Sequence, residues 1–408
     1  MNFFIIIFLI ILLDIVTIKG LKKTYPQFCS LHRRLVRNAF VIQTTLSVII
    51  VLCGFFFQRR VSDYQIIALY SYFFGFVSAL YFSKSLYVMF LFADGILAAI
   101  SRWYRRLFDK FPRGSHHIVA KGGLWMSMAF VCLILSGILF GRYHYTVNHV
   151  EIEFANLPRA FNEYKIVQIS DIHAGSFAGS AKRFQKVIDM INKEEPNLIV
   201  FTGDMVNNFA GETTALIPIF SQLYARDGKF AVLGNHDYGG YSDWDTPADS
   251  VANHEAIKNA IEQMGFVLLN NQSVIINHYN TDRIALIGVE NYGSVNRHPK
   301  RGNLEKAIES VSDIPFKVLL MHNPLFWPVK VRGKTDIALT LAGHTHGMQV
   351  GIKFGIQRFI PARFRYRYGA GLFQTGRQYL YVNRGLGVIG FPGRIGMWPE
   401  ITVIHLLK

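Results

Sequence analysis

Gly234-Asn235-His236-Asp237 sets three polar side chains in a row directly after the largely apolar run Lys229-Phe230-Ala231-Val232-Leu233. A buried strand that ends this way aims polar groups into the crevice at the carboxyl edge of a sheet. The same punctuation recurs four times. Residues 164–170 lead to Asp171-Ile172-His173, and 198–201 lead to Thr202-Gly203-Asp204. Residues 317–320 lead to Met321-His322-Asn323-Pro324, and 336–341 lead to Ala342-Gly343-His344-Thr345-His346. Helices are expected between these strands. Phe184, Val187, Ile188 and Ile191 recur on one face, and further helical stretches follow around 213–224 and 254–264. Segments 266–276 and 284–289 are β-rich, with Asn270-Asn271 as the expected hairpin turn. Residues 150–154, 379–382 and 401–406 complete the strands. Strands alternating with helices predict an α/β domain.

The strand ends collect Asp171, His173, Asp204, Asn235, His236, His322, His344 and His346. Any one of these motifs alone reads as a turn, a cap or a packed histidine. Five of them, each after a strand, point to one rim. Imidazoles combined with carboxylates suit Mn, Fe or Zn, and not Ca or Mg alone. The set is too large for the shell of one ion and fits two ions that share a carboxylate. The three cysteines, Cys29, Cys53 and Cys132, all lie in the N-terminal part. The C-terminal domain therefore has neither a disulfide nor a thiolate site.

Only 17% of the chain is charged, against about 25% in an average soluble domain. The apolar excess is concentrated in residues 1–142, in runs at 3–18, 39–57, 65–100 and 123–140. No basic residue precedes the first run and no small-residue cleavage site follows it, so it reads as an uncleaved anchor. Run 39–57 has the length of one span. Run 65–100, whose only charges are Lys84 and Asp94, is long for one span and short for two. Basic loops lie at 19–37 and 102–121, with only Arg59 and Arg60 between the second and third runs. Counting 65–100 as one crossing puts both basic loops in the cytoplasm. The expectation is an integral multi-pass cell membrane protein with four helices over 1–142. The domain at 143–408 would then be extracytoplasmic. Asp14 and Asp94 are expected towards span ends, hydrated at the interface, in a region that serves as an anchor.

Asp171-x-His173, Gly203-Asp204, Gly234-Asn235-His236-Asp237, His322 and Gly343-His344-x-His346 resemble the five signature blocks of the calcineurin-like metallophosphoesterases. The likeness covers about residues 164–408. Gly385-Leu386-Gly387 through Arg394, Pro399-Glu400-Ile401 and the multi-span N-terminus resemble the branch called transmembrane protein with metallophosphoesterase domain. Asn207 departs from relatives that often carry Asp there, at a position that is not a ligand in the family. The resemblance implies a four-layer αββα sandwich and a dinuclear divalent metal centre of Mn, Fe or Zn. It implies that Asp171, His173 and His346 hold one ion, that Asn235, His322 and His344 hold the other, and that Asp204 bridges them. His236, left without a metal, would donate a proton to the leaving oxygen or stabilise the developing charge, and Asp237 would support the ligands from behind or serve as a turn residue. The implied activity is hydrolysis of a phosphodiester or pyrophosphate bond by in-line attack of a metal-bridging hydroxide. Relatives include hydrolases of the lipid-linked nucleotide UDP-2,3-diacylglucosamine. That substrate is made in the cytoplasm and conflicts with the orientation read from the loops. The competing expectation is a non-catalytic membrane scaffold that keeps the fold.

The formal net charge is +16, which favours anionic partners. Between Lys353 and Pro399 lie eight basic residues and no acidic one, with aromatics interleaved in Arg363-Phe364-Arg365-Tyr366-Arg367-Tyr368. Beside a bilayer, Arg363, Arg365 and Arg367 suit membrane lipids or a phosphate-ester substrate. Nucleic acid is not expected, because a membrane tether limits access to it.

Overall fold

A computed structural model describes residues 3–57, 63–108, 117–278, 282–292, 301–354, 357–359 and 366–408. Arg59, Arg60, Lys110, Arg113, Arg363 and Arg365 lie outside the described residues. The chain divides into two compact units, Met1–Gln58 with Leu69–Leu139, and Arg59–Ala68 with Phe140–Lys408.

The helices of the N-terminal region are α1 (Phe3–Thr24), α2 (Pro26–Leu31), α3 (Arg33–Phe57), α4 (Tyr64–Phe108) and α5 (Ile118–Leu139). Four of them, α1, α3, α4 and α5, are long and apolar enough to cross a membrane. The ambiguous run is a single unbroken helix, α4, of 45 residues. At 1.5 Å per residue it measures about 68 Å, more than twice the ~30 Å hydrocarbon core.

The two intramembrane acids are not hydrated at span ends. Asp14 sits midway along α1 and is 5% exposed. Lys84 of α4 pairs with it and also donates to Gln43 of α3. Thr44 and Tyr81 donate to the other carboxylate oxygen at 2.5 and 2.7 Å. Asp94 is likewise buried and meets His117 Nδ1 at 2.8 Å. Within hydrocarbon a polar group that cannot reach water must find protein partners, so these side chains converge across helices. Removing one member of a buried ion pair leaves an uncompensated charge. Asp14→Ala and Lys84→Ala are each expected to destabilise the helical unit by about 3–5 kcal/mol, and the double substitution by less than their sum. Denaturant titration in detergent tests this; additive losses would argue against coupling.

In the second unit two six-stranded sheets face each other. The first has the order β1 (Thr146–Glu153), β14 (Glu400–Leu407), β2 (Tyr164–Ile169), β3 (Leu198–Phe201), β4 (Lys229–Ala231), β5 (Val267–Leu268). The second has the order β12 (Gly371–Thr375), β13 (Gln378–Val382), β9 (Leu339–Ala342), β8 (Lys317–Leu320), β7 (Asp282–Gly288), β6 (Gln272–His278). A small ribbon pairs β10 (Ile352–Phe354) with β11 (Gln357–Phe359). Strands buried on both faces read as continuous apolar runs, and alternate residues serve different cores. Ile166, Leu198 and Val200 meet Leu286, Val318 and Leu339 between the sheets. Val167, Ile199 and Phe201 face the other way, towards α6 (Gln185–Lys193), α7 (Ile217–Phe220) and α8 (Pro247–Gln263). Ile287 and Leu319 pack outward on α9 (Leu304–Ile308) and Trp327. Three cores separate four layers, as the αββα expectation requires.

Two local expectations change. The helix expected at 213–224 shortens to α7 and flanking turns, while α8 begins earlier than 254, where Thr246 caps it by accepting from Asp249 N. Asn270-Asn271 is not a hairpin turn. It carries the chain from β5 in one sheet to β6 in the other, and the antiparallel pair is β6 with β7. Asn271 takes φ of 56° and accepts from the N–H groups of Glu290 and Asn303. Its side chain secures a crossover that the alternation of apolar residues cannot distinguish from a tight turn.

Candidate metal centre

The carboxyl ends of β2, β3, β4, β8 and β9 bring all the predicted groups together. The strands approach so closely that glycine is needed at the crossing points. A Cβ on Gly234 would lie 2.1 Å from Asp204 Oδ1, and one on Gly343 would lie 2.3 Å from Asp171 Oδ2. The backbone is also held in the left-handed region at Asp171, His173, Asp204, His344 and His346, with φ between 49° and 74°. Such non-glycine conformations cost about 1–3 kcal/mol and persist where surrounding structure fixes them.

Two groups of donor atoms result. His173 Nε2 lies 3.1 Å from His346 Nε2, which lies 3.3 Å from Asp171 Oδ1. His322 Nε2 lies 3.1 Å from His344 Nδ1, 3.0 Å from Asn235 Oδ1 and 3.1 Å from Asp204 Oδ2. The same Asp204 Oδ2 is 3.7 Å from His173 Nε2, so Asp204 joins the two groups. Ring nitrogens facing each other at such distances need a cation or a proton between them. The donors therefore fit divalent metal ions.

The charges agree. Burial alone would raise the two carboxyls, but His346 beside Asp171, and His322 and His236 beside Asp204, hold both well below the usual range. Burial keeps His173, His236 and His344 neutral, His344 being lowered to about 3. Burial also opposes a charge on His322, but Asp204 and Asp171 outweigh it and raise that imidazole to about 9. Anionic carboxylates and neutral imidazoles are the forms that bind a metal, so His322 would exchange its proton for the ion.

Comparisons with known proteins agree with this geometry. Residues 164–348 match the Calcineurin-like phosphoesterase family, and residues 1–142 match the Probable Calcineurin-like phosphoesterase, transmembrane domain. The metallophosphoesterase YkuE of Bacillus subtilis is 32% identical over 265 residues, covering 64% of this chain and 85% of that protein. The chain belongs to the calcineurin-like metallophosphoesterases. The transmembrane protein with metallophosphoesterase domain of Bos taurus is 31% identical, over 68% of this chain and 61% of its own length. The UDP-2,3-diacylglucosamine pyrophosphatase LpxG of Chlamydia trachomatis is 28% identical, over 57% of this chain and 81% of its own.

In this metallophosphoesterase His236 has a donor atom within 4.8 Å of those of His173 and Asp204, one residue from each group. Its backbone N–H donates to Asp204 Oδ1 at 2.8 Å, and its Nδ1 meets the Asn207 carbonyl at 2.7 Å. That carbonyl requires a proton on Nδ1 and leaves Nε2 to exchange one. Asp237 faces inward and accepts from the backbone N–H groups of Asp204, Met205, Val206 and Gly234 at 2.8–3.3 Å. Burial and the Asp204 charge push its carboxyl up to about 7, against those donors. An unsatisfied buried donor costs about 1–3 kcal/mol. Asp237→Ala is therefore expected to lower the stability of the second unit by about 3 kcal/mol or more, read by chemical denaturation; an unchanged midpoint would rule out the strut role.

Several contributors lie outside the five strand-end blocks. Glu212, 5% exposed, accepts from the N–H groups of Gly175, Asn207, Asn208 and Phe209 and so fixes the carbonyl that orients His236. Arg394 is fully buried. Its guanidinium donates to the carbonyls of Gly387, Arg384 and Met397 and lies 3.3 Å from His346 Nδ1. Burial lowers that guanidinium to about 9. Arg384 pairs with the buried Glu400. Two of the eight basic residues between Lys353 and Pro399 thus turn to protein partners, because charge counts do not distinguish solvent from buried carbonyls and carboxylates. Arg367 is exposed, its guanidinium 5.9 Å from the Tyr368 ring.

Proposed function

We propose that the protein binds two divalent ions and hydrolyses a phosphodiester or pyrophosphate bond in a substrate presented at the membrane. What supports this most directly is the sharing of Asp204 between two donor groups on one rim. In the proposed arrangement Asp171, His173 and His346 hold one ion, Asn235, His322 and His344 hold the other, and Asp204 bridges. Bound there, such ions lower the pKa of water and neutralise phosphoryl charge. With Nδ1–H held by the Asn207 carbonyl, His236 would take up the proton released by the attacking water on Nε2 and pass it to the departing oxygen. Asp237 and Glu212 keep the backbone of both motifs in place. The non-catalytic alternative gains no support, since every expected ligand position is filled.

The loop charges support an extracytoplasmic second unit. The likeness to LpxG supports a lipid-linked substrate, and a cytoplasmic nucleotide lipid would require the opposite side. Arg367 and the basic segment before it suit lipid phosphates. The test uses the purified full chain in detergent, with metal content measured and bis(p-nitrophenyl) phosphate as substrate. Hydrolysis is expected to stop with chelator and return with Mn2+; chelator-insensitive turnover would defeat the reading. A reporter fused after Lys408 that works in one compartment only decides the side.

A further inference from the structure

Tyr241 follows the Gly234–Asp237 block, outside every motif, and touches two of its members. Its hydroxyl accepts from Asn235 Nδ2 at 2.7 Å. Its ring stacks on His236, with centroids 4.2 Å apart and planes 18° from parallel. The backbone beneath it is pinned. Tyr241 N donates to the buried Asn208 Oδ1 at 3.1 Å, Asn253 Nδ2 donates to Asn208 O at 3.0 Å, and Trp244 Nε1 donates to Gly239 O at 2.8 Å. The Tyr241 side chain is nevertheless 41% exposed, so it lies at the mouth of the site rather than in the core.

A carboxamide has one acceptor end and one donor end. Only the oxygen end serves a cation. With the NH2 group of Asn235 on the Tyr241 hydroxyl, Oδ1 is the end turned towards His322 Nε2, 3.0 Å away. The stacked ring meanwhile limits rotation of the His236 imidazole about the axis that its Nδ1 contact leaves free. We infer that Tyr241 is a positioning residue of this centre, its hydroxyl fixing the metal-binding orientation of Asn235 and its ring fixing the plane of His236. The inference rests on the proposed ligand role of Asn235.

Metal-stripped full-length protein in detergent is titrated with Mn2+ by calorimetry. Partners behind a ligand typically set 10–100-fold of its metal affinity. Tyr241→Phe keeps the ring and removes the acceptor, so it is expected to weaken the weaker Mn2+ binding step by about 10–100-fold. It should do so little further in an Asn235→Ala background, where the amide is already gone. Tyr241→Ala removes the stack as well, and should lower kcat at saturating Mn2+ at least about tenfold below that of Tyr241→Phe. If Asn235→Ala weakens Mn2+ binding and Tyr241→Phe does not, the inference fails and the dinuclear reading stands. Equal kcat in the two Tyr241 variants would remove the part concerning His236. If Asn235→Ala itself leaves Mn2+ binding unchanged, the ligand assignment fails and takes the inference with it.

Discussion

Asp204→Asn is expected to leave a folded protein that neither retains two ions nor turns over substrate. The exchange preserves shape, and the amide oxygen can still accept from the His236 N–H. It removes a negative charge within 3.1 Å of His322 Nε2 and 3.7 Å of His173 Nε2. Loss of a partner behind a single ligand costs about 10–100-fold in metal affinity. A ligand common to two ions should exceed that at both, so turnover at micromolar Mn2+ is expected to disappear. Metal analysis after gel filtration, beside a thermal melt, measures the two outcomes separately. Two ions retained at parent stoichiometry would show that Asp204 does not bridge.

His236→Ala should give the opposite pattern, with ions kept and chemistry lost. His236 has a donor atom within 4.8 Å of those of His173 and Asp204, but it stands outside the two proposed ligand sets, and the Asn207 carbonyl engages its Nδ1. A positioned acid contributes about 10²–10⁴-fold, so kcat is expected to fall by that much with an alkoxide leaving group. The loss should shrink with p-nitrophenolate, which departs without help from a proton. Equal losses with both leaving groups would assign His236 to charge stabilisation instead, and a parent-like rate would leave it without a role.

The centre was legible because its residues sit where the chain announces them, immediately after apolar strands and beside glycines that the strand crossing demands. Gly234 and Gly343 make room for Asp204 and Asp171 at the ends of other strands. Strands alternating with helices announced an α/β domain, and the family resemblance implied its four layers. What could not be read was long-range or carried by ordinary residues. Asn270-Asn271 looks like a turn whichever sheet receives the next strand. Glu212 and Tyr241 have no spacing that marks them, and act through backbone N–H groups or one amide. Arg384 and Arg394 read locally as two more positive charges, since nothing in the sequence around them states that buried carbonyls and Glu400 wait for them. Asp14 passed for an interfacial acid because its cation comes from a helix far along the chain.

That distance has a consequence for how the protein is made. Lys84 lies 70 residues beyond Asp14. At 5–20 residues per second, synthesis needs about 4–14 seconds to supply it. During that interval the first helix enters the membrane carrying an acid without its base. It must be sheltered by the insertion machinery until α4 arrives. Assembly of the helical unit therefore waits at least for the third long helix, and a chain truncated before Lys84 would strand that acid in lipid.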